Sequence, residues 1–129
     1  MNPTMNHLML VAVGGGLGTA LRYGVGRWAI AALGPGFPFG TFVVNIVGGF
    51  LMGLLAGWLA RMNSGSEELR LLLGVGVLGG FTTFSAFSLE IYNMITRAEI
   101  ALAAAYAVSS VAGSVLAVLA GVWLMRSLA

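Results

Sequence analysis

Polar side chains are scarce in this chain, so those embedded in apolar stretches are the first candidates for chemistry. Thr41 and Asn45 stand four apart on one helical face, the same face as Gly49, Gly53 and Gly57. Tyr106, Ser110 and Ser114 repeat at that spacing and would form a row of hydroxyls along one side of a helix. Such a row reads either as interhelical hydrogen bonding or as a track for an ion. Glu90 is the only acid clearly inside an apolar stretch, and an ionisable group in that setting is a functional candidate by default. Its alternative reading is a carboxylate bonded to hydroxyls or reaching water.

Phe84 and Phe87 are three apart and share a helical face. An aromatic ring has a positive edge, which in a narrow dry path can favour an anion without holding it too tightly to leave. Just before them, Gly79-Gly80-Phe81-Thr82-Thr83-Phe84-Ser85 sets two glycines and two β-branched threonines mid-span. One reading is a continuous, glycine-packed helix whose hydroxyls bond back to carbonyls one turn earlier. The other is a broken helix, which membrane depth admits only where the exposed backbone is buried in protein or lines a wet cavity. Amides opening the second half would then favour an anion, and carbonyls ending the first half a cation.

Nothing points to catalysis. There is no His-x-x-Glu or paired-carboxylate arrangement, no Gly-x-Ser-x-Gly and no phosphate loop. The absence of cysteine removes disulfides, thiolate metal sites and a thiol nucleophile.

The elements that must position these residues follow from composition. Of 129 residues 59% are hydrophobic and 8% charged, all of the latter Arg or Glu, too few to coat a water-soluble domain. The expectation is a single all-α membrane domain over residues 1–129, with lipid as its solvent. Four stretches match the ~20 apolar residues that cross a bilayer: about 8–33, 39–60, 69–96 and 100–125. Gly34-Pro35-Gly36-Phe37-Pro38 is a turn by composition, and Asn63-Ser64-Gly65-Ser66-Glu67-Glu68 an exposed connection. Met1 to His7 lacks the basic start of a cleaved signal, so the first stretch is expected to be a retained span.

Small residues at four-residue spacing, Gly49, Gly53 and Gly57 on the second span and Gly113, Ala117 and Gly121 on the fourth, predict close helix packing. The arginines are scattered rather than striped, so no nucleic-acid partner is expected. With both termini on one face, Arg61, Arg70 and Arg126 fall there and Arg22, Arg27 and Arg97 opposite. An even split gives no instruction for orientation, and insertion in both directions is expected. Two opposed copies could then pair about an axis in the membrane plane.

At these residues the sequence resembles the Fluc family of small fluoride channels, also called CrcB proteins. The resemblance rests on Gly14-Gly15-Gly16-Leu17-Gly18-Thr19-Ala20-Leu21-Arg22-Tyr23, on Gly40-Thr41-Phe42-Val43-Val44-Asn45 and on Gly79 through Ser85 with Ala86-Phe87. It implies an antiparallel, dual-topology homodimer in the inner cell membrane, with the third helix broken near Gly79–Ser85. It also implies passive, selective fluoride efflux that confers fluoride resistance. The implied fluoride pathway comprises Phe84, Phe87, Asn45, Thr41, Ser85, Tyr106, Ser110, Ser114 and Glu90, with Arg22 in the vestibule. Backbone carbonyls of Gly79 and Thr82, from both subunits, would hold a structural sodium ion. The competing expectation is a small dual-topology multidrug antiporter. In that family a titratable acid lies on the first helix, where this chain has none.

Overall fold

The computed structural model describes residues 2–62 and 66–128. Among these it contains helices and no strand. Helix α1 spans Pro3–Leu33, α2 Phe39–Leu59, α3 Ser66–Leu69, α4 Gly79–Phe81, α5 Ser85–Thr96 and α6 Ile100–Ser127, with a π-helical stretch, Arg70–Leu78, joining α3 to α4. Four helical lengths, of 31, 21, 30 and 28 residues, are long and apolar enough to cross a membrane.

Capping explains where these helices start and stop. The Asn2 side chain accepts a hydrogen bond of 2.8 Å from the Met5 amide, and Pro3 occupies the first turn, so α1 begins ahead of the expected Leu8. It ends at Gly34, whose φ of 82° suits a residue without Cβ. Helix α3, which leads into the third span, starts at Ser66, ahead of the expected Leu69. Glu67 and Glu68 in the first turn complement the helix dipole, and Arg70 pairs with Glu67 at 3.0 Å. The connection expected over 63–68 is correspondingly shorter, and Asn63, Ser64 and Gly65 lie outside the described residues.

The third span is broken. Helical geometry ends at Phe81, Thr82 is extended (φ −89°, ψ 160°) and α5 opens at Ser85. The back-bonding expected of a continuous helix is present too, from Thr82 Oγ1 to the Leu78 carbonyl at 2.9 Å, but here it closes the first half.

Glycine seams draw the spans together. The stripes on α2 and α6 face each other: a Cβ on Gly49 would lie 2.8 Å from the Ser114 carbonyl oxygen, and one on Gly53 or Gly121 would strike Val118 or Phe50 backbone. On the other side Gly14 and Gly18 of α1 lie against the π-helical backbone, and Gly80 against Gly15 and Thr19. At the far end Phe87 and Met94 of α5 bury against Ala103 and Tyr106 of α6.

Gly18→Ala would drive a methyl into the Val77 carbonyl oxygen, whereas a Cβ on Gly16 would meet no described atom within 4 Å. We expect Gly18→Ala to destabilise by roughly 1–3 kcal/mol and Gly16→Ala to be neutral, as read from thermal unfolding in detergent.

Candidate ion pathway around the broken helix

The break is held by one side chain from α2. Asn45 Nδ2 donates to the Thr83 carbonyl at 2.9 Å, and the Thr83 amide donates back to Asn45 Oδ1 at 2.8 Å. One amide side chain thus supplies the donor and the acceptor that an interrupted helix loses. Arg22 of α1 donates through Nε to the Gly80 carbonyl at 3.0 Å. Thr83 Oγ1 accepts from the Ala86 amide at 3.2 Å, capping the first turn of α5, and lies 3.3 Å from Ser85 Oγ. The carbonyls of Leu78, Gly80 and Thr83 are occupied in this way, while those of Gly79, Phe81 and Thr82 have no donor among the described residues.

A groove of about 510 Å3 opens beside the break. Asn45, Gly79, Thr82, Phe84, Phe87, Ser110 and Ser114 all line it, so residues from three spans predicted separately converge here. The two phenylalanine rings are tilted, with centroids 5.5 Å apart. Phe87 is buried, whereas Phe84 is 75% exposed on the single chain. Ser110 is buried, and its hydroxyl has no hydrogen-bond partner among the described residues. A buried hydroxyl with no protein partner, on the wall of a groove, is available as a donor.

Tyr106 belongs to the same hydroxyl row but reaches elsewhere. Its hydroxyl donates to Glu90 Oε1 at 2.8 Å, while Thr41 Oγ1 donates to Oε2 at 2.7 Å. Both carboxylate oxygens are thus bound by hydroxyls, as one of the two sequence readings of Glu90 expects. Thr41 and Glu90 line a second cavity of about 300 Å3, together with the 34–38 turn. Phe37 from this turn sets its ring edge-on to Tyr106, at 5.1 Å, and the Tyr106 ring lies 5.1 Å from Phe87.

A third cavity, of about 330 Å3, contains Arg22 and Arg27 with Thr19, Thr41 and Thr83. Thr83 lines both this cavity and the groove, and Thr41 lines both this cavity and that of Glu90. The third cavity therefore adjoins the groove at Thr83 and the Glu90 cavity at Gly26, Ile30, Gly40 and Thr41. Sequence reasoning missed Thr83 as the partner of Asn45; a hydroxyl followed closely by a helix start was the available signal. It also missed Arg27, whose place in the cavity depends on how α1 is rotated against its neighbours.

Residues 9–122 match the family described as CrcB-like protein, Camphor Resistance (CrcB). A curated relative from Novosphingobium aromaticivorans, named fluoride-specific ion channel FluC, is 55% identical over 127 residues, covering 97% of this chain and 100% of its own. Proteins of the same name from Phenylobacterium zucineum and Caulobacter vibrioides are 57% and 54% identical over 123 residues, each alignment covering 95% of this chain and 97% of the relative. With the match spanning all four helices and both sides of the break, the chain belongs to the CrcB family.

Proposed function

We propose that this chain is a fluoride-selective ion channel, passive rather than enzymatic, that lets fluoride leave the cell across the inner membrane. The observation that carries the reading is the groove, where Phe84, Phe87 and the unbonded Ser110 hydroxyl meet beside the clasped break. Fluoride is small and strongly hydrated, so a path must replace its lost water with donors. Ring edges and hydroxyls can do so while placing no full positive charge to trap the ion. The curated relatives carry the fluoride channel name over nearly their whole length, which supports the same assignment here.

The working unit in this reading is an antiparallel homodimer embedded in lipid. Its supports are a groove open along one face of a single chain and the even division of arginines between the two ends. A second copy would cover that face. The free carbonyls of Gly79 and Thr82 fit a hard cation such as sodium by their oxygen chemistry. Two oxygens from one chain are few for such an ion, and two from each of two chains make a fuller shell. When bound, sodium would supply a fixed positive charge tying the two breaks together. The chain's own share is to hold these carbonyls in place through Asn45 and Arg22.

Two substitutions test the path. Phe84→Ile and Phe87→Ile each remove a ring edge but little apolar area, and each should cut fluoride efflux from liposomes by about tenfold or more while the purified oligomer elutes unchanged. Unchanged efflux in both would contradict the ring-edge account. Asn45→Asp replaces the donor facing the Thr83 carbonyl with an acceptor and adds a negative charge beside the groove. It should abolish efflux and destabilise the fold by about 1–3 kcal/mol, and normal conduction would place Asn45 off the path.

A further inference from the structure

We propose that Arg27 recruits the anion: it is the cation that raises fluoride concentration in the cavity shared by α1, α2 and the start of α5. The inference rests on the fluoride reading and extends it to a residue the family motifs do not include. Arg22 and Arg27 both line this cavity, but they are held differently. Arg22 is tied by its Nε to the Gly80 carbonyl, so its position serves the break. Arg27 is exposed and makes no hydrogen bond or ion pair among the described residues, where the ion pairs join Arg70 to Glu67 and Arg97 to Glu99. Among the described residues no acid lines the cavity; its other polar side chains are threonine and tyrosine hydroxyls.

Arg27 stands six residues before the end of α1 at Leu33, or ~9 Å along the axis. It is thus nearer the bundle end than Arg22 and is met first by an ion arriving from that side. An unpaired charge lining a recess raises the local concentration of the opposite ion. Its long side chain can reach water while its stem stays along apolar surface. Thr83 lines both this cavity and the groove, so an ion gathered there lies against a wall the two spaces share.

The test is fluoride efflux from vesicles of zwitterionic lipid for the wild type and Arg27→Lys, Arg27→Gln and Arg27→Glu, at low and high ionic strength. Rates at low fluoride should follow charge: Lys near wild type, Gln down roughly two- to fivefold, Glu lower still. The differences should shrink as salt screens the cavity. Equal rates for Lys, Gln and Glu would overturn the proposal, as would a Lys variant as impaired as Gln, which would assign the loss to guanidinium packing. A charge ranking that appears only with anionic lipid would also overturn it, by giving Arg27 to the headgroups. Absence of fluoride efflux from the wild type would instead refute the channel reading.

Discussion

An interrupted backbone at membrane depth must find partners for its amides and carbonyls, because hydrocarbon offers none. In this protein that constraint falls on Thr82 to Phe84, and Asn45 meets it by bonding both polar groups of Thr83. Much else in the structure follows from bringing Asn45 there. α2 must run close to the third span, and Gly48, packed against Thr82, permits it. α1 must approach closely enough for Arg22 to reach Gly80, which the seam of Gly14, Gly18 and Gly80 allows.

What the clasp leaves unbonded is as informative as what it binds. Gly79 and Thr82, whose carbonyls are spare, line the groove together with the two phenylalanines. Acceptors that suit a cation and ring edges that suit an anion therefore sit within one recess, as the dipoles of two half-helices would arrange them. Ser110, buried and unbonded, adds a donor on the facing helix. Glu90 is kept apart from this recess, both of its oxygens engaged by Thr41 and Tyr106, so that its charge is held by hydroxyls.

Much of this was legible in the sequence, because membrane helices obey a few strong rules. The four spans came from hydropathy, and the facing of Gly49, Gly53 and Gly121 came from four-residue spacing. The Gly-Gly-Phe-Thr-Thr run left two readings open, and the extended Thr82 decides for the broken one. The π-helical geometry of Arg70–Leu78 was not legible, since Leu, Val and Gly favour it no more than an α-helix. Nor was the exact partner of Asn45, because spacing along α2 gives a face but not the element across from it. The hydroxyl row shows the same limit: Tyr106, Ser110 and Ser114 share one side of α6, yet the longer side chain of Tyr106 carries its hydroxyl to Glu90 instead of the groove.

In the fluoride reading, the clasped break forms part of a path for fluoride and not for larger halides. It is tested most directly by anion efflux from liposomes holding the purified wild-type protein, with sodium present and a potassium ionophore for charge balance, comparing fluoride with chloride. Rapid fluoride efflux with chloride retention is expected. Equal passage of both ions, or no fluoride efflux from verified oligomers, would contradict it.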